Sequence, residues 1–103
     1  MKILIDADGC PVVDLTLQAA AEHGLEAILF CDTSHEFKEK NARVVTVDKG
    51  SDSADFALIR QVKPGDIVVT QDYGLAAMVL AKRGYPITQN GKRLTDANID
   101  TLL

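Results

Sequence analysis

The chain has 103 residues, 47% of them hydrophobic, with 15 acidic against 11 basic side chains and a net charge of −4. That length can bury a core without disulfides or a structural metal, and it reads as one domain over residues 1–103. No apolar run approaches the roughly 18 residues of a membrane span, the two cysteines form neither a disulfide framework nor a zinc pattern, and the acidic balance counts against a broad nucleic-acid surface.

With both thiols reduced, the cytoplasm is the expected compartment. The apolar run Ile3-Leu4-Ile5 predicts a buried first strand that stops at Asp6-Ala7-Asp8-Gly9. A helix is expected to open at Pro11, where the missing N–H is not needed, and to end at Gly24. Its apolar face would hold Val12, Val13, Leu15, Thr16, Ala19 and Ala20. A second strand follows over residues 26–31, and residues 32–41 are polar, forming a loop or one helical turn. A third strand covers residues 43–47. The acidic segment Gly50-Ser51-Asp52-Ser53-Ala54-Asp55 then leads into a helix whose apolar face includes Phe56, Ile59 and Val62. A fourth strand over residues 67–70 stops just before Asp72, and a helix runs from about Tyr73 to Gly84. Residues 85–94 read as a hairpin turning at Asn90-Gly91 in a type I′ turn. Thr95 caps a last short helix over residues 96–103.

Strands alternating with helices at this spacing define βαβ units. The expected fold is a three-layer α/β/α domain with a mainly parallel sheet of four to five strands and a C-terminal hairpin. Right-handed crossovers put every strand's carboxyl end on one edge, where open α/β sheets bind ligands. Asp6, Asp8, Asp52, Asp55 and Asp72 would share that edge. Like charges at close range are costly, and a divalent ion with a preference for hard oxygen ligands, Mg²⁺ or Mn²⁺, is the simplest remedy. Plainer roles stand beside this one. Asp8 could serve turn chemistry, Asp52 and Asp55 have N-cap and N3 spacing, and Asp72 could cap the helix it precedes. Ser51 and Thr70 either hydrogen-bond the carboxylates or merely finish a helix start and a strand.

The ordered motifs Ile5-Asp6-Ala7-Asp8-Gly9-Cys10-Pro11-Val12, Gly50-Ser51-Asp52-Ser53-Ala54-Asp55 and Pro64-Gly65-Asp66-Ile67-Val68-Val69-Thr70-Gln71-Asp72 closely resemble the bacterial YaiI/YqxD family. The resemblance implies a PIN-like, nuclease-type fold with a parallel sheet and an acidic metal site. In that pattern an Asp ends the first strand, a carboxylate sits on a central helix and an Asp follows the fourth strand. Carried over by position, these are Asp6, Asp55 (or Asp52) and Asp72, with Asp8 as an added candidate. The activity so implied is metal-dependent nuclease chemistry, with RNA as the expected partner.

Two other functions compete. Asp6-Ala7-Asp8-Gly9 also resembles the opening motif of haloacid-dehalogenase phosphatases, in which Asp6 would be the nucleophile and Asp8 the general acid/base. Cys10 departs from that pattern, and Asp72 stands where an acidic pair is usual. The third reading is a non-catalytic module that binds metal or RNA without turnover. The basic clusters Lys82-Arg83 and Lys92-Arg93 either track a phosphate backbone or are simply solvated charge.

Overall fold

A computed structural model describes residues 1–8, 10–32, 42–47 and 54–99. Among the described residues the elements run β1 (Lys2–Asp6), α1 (Val13–Glu22), β2 (Glu26–Cys31), β3 (Arg43–Thr46), α2 (Ala54–Gln61), β4 (Ile67–Val69), α3 (Tyr73–Ala81), β5 (Tyr85–Ile87) and α4 (Asp96–Ile99). The strands form one sheet in the order β3-β2-β1-β4-β5, and every neighbouring pair is parallel. The expected mainly parallel α/β/α fold is therefore the observed one. The chain leaves β1 in one direction to reach β2 and later returns to β1's other side with β4. The β1/β4 boundary is thus the switch point, where a crevice opens at the carboxyl ends of an open sheet.

Alternation along the strands assigns the two faces. Ile3, Ile5 and Ala7 of the β1 segment pack with Leu29, Cys31 and Val69 against Val13 and Ala20 of α1. Leu4, Ile28, Phe30 and Val68 point the other way, into a second cluster with Ala57 and Leu58 of α2, Val62, and Leu75 and Val79 of α3. Asp6 has the parity of Leu4, which aims it toward the α2/α3 side.

Several boundaries depart from the sequence expectation. α1 starts at Val13 rather than Pro11, with Val12 as N-cap and no side-chain cap bond. Instead, the Thr16 hydroxyl and N–H both donate to the Val12 carbonyl (2.8 and 2.9 Å). At the other end Gly24 behaves as expected, taking φ +66°. On α2, Phe56 is 56% exposed while Ala57 and Leu58 are buried. Of the expected face, Val62 is buried and Ile59 packs against the same cluster, and only Phe56 turns outward. α3 ends at Ala81, and the left-handed position after it is Arg83 (φ 64°), not Gly84. The Arg83 and Gly84 N–H groups close the helix on the Leu80 and Val79 carbonyls (2.9 Å each). Gly84 is required for space: a Cβ there would lie 2.7 Å from Val79 Cγ1 and 3.2 Å from the Asp66 carbonyl oxygen. Gly84→Ala should therefore cost about 1–3 kcal/mol by overpacking, read as a lower denaturation midpoint in urea at unchanged slope.

The hairpin also differs in its turn. The Gly91 N–H donates to the Thr88 carbonyl (2.9 Å), and the Thr88 N–H to the Lys92 carbonyl (2.9 Å). The turn is therefore centred on Gln89-Asn90, with Gly91 (φ 82°) taking the left-handed place after it. A type I′ turn at Asn90-Gly91 would need positive φ at both residues. Asn90 is not among the positive-φ residues. The return limb pairs at Arg93 opposite Ile87, where the Leu94 N–H also donates to the Pro86 carbonyl (2.9 Å). At α4 the Thr95 N–H donates to Asn98 Oδ1 (2.8 Å), so the bond at the helix start runs toward the Asn98 side chain. The stretches expected over residues 33–41 and 100–103 lie outside the described residues.

At the amino edge of the sheet, Asp66 is 3% exposed. It accepts hydrogen bonds from the Lys2 ammonium (2.5 Å), the Lys2 N–H (3.1 Å) and the Lys63 N–H (2.8 Å). Burial pushes its carboxyl up, but the Lys2 ammonium and these N–H donors outweigh burial and hold it below the usual 3.8.

Candidate functional site

Asp6 ends β1, and Thr70 follows the last residue of β4 on the adjacent strand. Thr70 has the parity of Val68, so its side chain lies on the same face as Asp6. Its hydroxyl donates to Asp6 Oδ2 (2.9 Å) and accepts the Asp72 N–H (3.0 Å). One nearly inaccessible side chain thus sets the distance between the end of β1 and the start of α3. Asp72 is the N-cap of α3, its Oδ1 accepting the Leu75 N–H (3.1 Å). Asp55 comes from the first turn of α2.

These carboxylates interact. Burial raises the pKa of Asp6. The Thr70 hydroxyl opposes that rise, while the charges of Asp72 and Asp8 add to it. Asp55 is pushed up to about 6 by burial, by the charge of Asp6, and by a hydrogen bond to Asp72 together with its charge. No described Lys or Arg enters the balance at either residue. Burial and the nearby carboxylates thus penalise the charged form of Asp55.

The sequence-predicted residues sort accordingly. Asp6, Asp55 and Asp72 are brought together, and Thr70 braces two of them. Asp8 lies close enough to Asp6 to repel it, but its Oδ2 accepts the Asp32 N–H (2.7 Å), tying the loop after β1 to the end of β2. Ser51 and Asp52 lie outside the described residues. Among the described residues no group of three or more His, Cys, Asp and Glu is set closely enough to hold a metal ion as it stands. The donor atoms are carboxylate oxygens, the type that hard divalent ions prefer.

Two residues of the site are absent from the sequence expectation. Asp6, Asp8, Cys10 and Thr70 line a cleft of about 70 Å³ that is completed by Gln71 and Gln89. The Gln89 N–H donates to Gln71 Oε1 (2.6 Å), fastening the hairpin turn to the end of β4. Gln71 stands between two candidate residues in Thr70-Gln71-Asp72, which is a legible signal. Gln89 becomes part of the cleft only through the parallel pairing of β5 with β4. Cys10 and Cys31 are not joined in a disulfide.

The fold and site define a parallel α/β domain with a carboxylate cluster at the switch point of its sheet. The chain belongs to the YaiI/YqxD family, an uncharacterised bacterial family whose sequence model matches residues 4–103. It is 55% identical over 103 residues to a UPF0178 protein of Exiguobacterium sibiricum, covering all of this chain and 70% of that protein. UPF0178 proteins of Ruminiclostridium cellulolyticum and Alkaliphilus oremlandii are 52% and 50% identical over the whole chain, which covers 67% and 66% of them. The chain thus spans about two thirds of the length of these relatives. No solved structure matches it. No helix among the described residues is long and apolar enough to cross a membrane.

Proposed function

We propose that this domain is a metal-dependent nuclease acting on RNA, with Asp6, Asp55 and Asp72 binding Mg²⁺ or Mn²⁺. One observation carries the reading. Acidic side chains from β1, α2 and the start of α3 lie near enough at the switch point to raise one another's charging cost, and no described basic side chain offsets the charge of Asp6 or Asp55. A bound divalent ion would supply Lewis acidity and positive charge against a phosphodiester.

The chain's own residues do the rest. Thr70 holds Asp6 in one orientation through its hydroxyl. Asp72, anchored on the Leu75 N–H, presents its carboxylate from a fixed helix start. Asp55, pushed up to about 6, is mainly a carboxylate at pH 7 and is then able to serve as a ligand. Gln71 and Gln89 offer amide groups in the cleft beside Asp6, suited to hydrogen-bonding phosphate or ribose oxygens.

The test is cleavage of a panel of single-stranded and structured RNAs with Mn²⁺ present. EDTA should abolish cleavage, and Asp6→Asn should reduce it by about 100-fold or more, the scale of losing one preorganised electrostatic group. Cleavage indifferent to both overturns the proposal. An aspartyl adduct formed at Asp6 with beryllofluoride would favour the phosphatase reading instead. Metal binding without turnover on any substrate would leave a binding module.

A further inference from the structure

The two faces of the sheet are covered unequally. α2 and α3 pack on one face, whereas on the other α1 packs chiefly against β1 and β2. The right-handed crossover through α3 keeps that helix on the α2 side. Among the described residues, the α1-side face of β4 and β5 is therefore left to Ile67 and Ile87, both only partly buried.

An open groove of about 360 Å³ runs between this face and α1, with Val12, Leu15, Leu25, Ile67 and Ile87 among its lining. Leu15 is 65% exposed. Ile67 and Ile87 continue into an adjoining hollow of about 270 Å³ beside Met1 and Tyr85. Met1 and Tyr85 are 72% and 41% exposed. All-parallel sheets are stable when both faces are covered, normally by helices. A contiguous apolar groove of this kind marks a docking site.

The relatives are longer than this chain, and that length supplies a candidate occupant. The 103 matched residues make up 70% of the Exiguobacterium protein and 66% of the Alkaliphilus protein. Those proteins are therefore about 147 and about 156 residues long, so about 44 to 53 residues of each lie outside the match. A helix rises about 1.5 Å per residue, and strands lie about 4.8 Å apart. A dozen or so residues would cross the open strands, leaving ample chain to connect them. We propose that the groove over β4 and β5 seats an amphipathic helix drawn from the part of the family's chains outside these 103 residues, with Leu15, Ile67 and Ile87 as its contact surface.

The experiment mixes this chain with a polypeptide comprising the residues of the Exiguobacterium relative outside the match. Binding is followed by calorimetry and by methyl NMR. Saturable one-to-one binding is expected, with shifts concentrated at Leu15, Ile67 and Ile87. Leu15→Glu, placed on the exposed side of α1, should leave the melting temperature of the chain alone unchanged and weaken binding about tenfold or more. Met78→Glu, an exposed apolar position on α3 at the opposite face, should leave binding unchanged. Absence of binding, or binding untouched by Leu15→Glu, overturns the proposal. So does a chain that dimerises by itself in sedimentation and is made monomeric by Leu15→Glu, because the occupant would then be a second copy.

Discussion

Replacing Asp66 by Asn is expected to lower the unfolding free energy by about 3 kcal/mol, the scale of breaking a buried ion pair on one side. Asp66 is almost wholly inaccessible and collects three donors, from the Lys2 ammonium and the Lys2 and Lys63 N–H groups. An amide at that position replaces one acceptor oxygen by a donor, so a Lys2 donor loses its partner in a dry site. The contact joins the start of β1, the central strand, to the turn before its neighbour β4. Its loss therefore loosens the middle of the sheet rather than an edge. The pH dependence has a definite sign. The folded pKa of Asp66 lies below its ordinary 3.8, so the unfolded chain binds more protons in that range, and stability rises with pH there. The contribution is fully present above about pH 4 and is lost as pH falls through the folded value. Urea denaturation between pH 2 and 5 should show this acid limb in the parent chain and a flatter limb in Asp66→Asn. Equal stability of the two proteins at pH 7 would refute this role for Asp66.

Asp55→Asn should have the opposite effect on the metal-free chain, raising its stability at pH 7. The Asp55 pKa is raised to about 6, so the folded state holds a proton that the unfolded chain releases between 3.8 and about 6. Stability from this group is fully present below pH 3.8 and declines as pH rises through about 6. In a dry site a rise of that size would correspond to about 3 kcal/mol. Asp55 is partly open to solvent, and screening reduces the expected gain to about 1 kcal/mol. Asn carries no charge, so the variant should equal the parent near pH 4 and exceed it at pH 7.

Divalent ions reverse the comparison. If Asp6, Asp55 and Asp72 bind Mn²⁺, a hundredfold excess over Kd stabilises the parent by about 2.7 kcal/mol. That gain should be larger at pH 7 than at pH 5, where a proton competes for Asp55. Asp55→Asn should lose most of it. Thermal denaturation with and without Mn²⁺ at the two pH values reads all of these effects, and a parent chain that Mn²⁺ does not stabilise at pH 7 contradicts the metal site. The metal-free pH profile tests the electrostatics separately.

Periodicity makes the alternating strands and helices legible, because burial on both sheet faces demands continuous apolar runs such as Ile3-Leu4-Ile5 and Ile67-Val68-Val69. The run of carboxylates after expected strand ends locates the site for the same reason, since connection rules alone send those ends to one edge. The local departures share a cause. Local pattern makes Gly84 the left-handed helix terminator, yet Arg83 adopts that conformation and Gly84 is needed for close packing against Val79, Val62 and Asp66. Apolarity alone puts Phe56 on a buried face. Which side of α2 meets the sheet depends on where the helix is docked, and that rotation puts Ala57 and Leu58 inward.

From its sequence alone this protein is a parallel α/β domain with acidic residues at strand ends, because hydrophobic period, turn residues and chain connectivity are local properties. Only the tertiary structure decided that Asp55 lies close enough to Asp6 and Asp72 to feel their charge, that Thr70 braces Asp6, that Gln89 reaches the cleft, and that Asp66 is locked to Lys2. Thr70 and Asp6, like Lys2 and Asp66, are 64 positions apart in the chain, and Gln89 and Gln71 are 18 apart. Such pairings follow from strand order and docking angle, quantities that no local pattern of residues encodes.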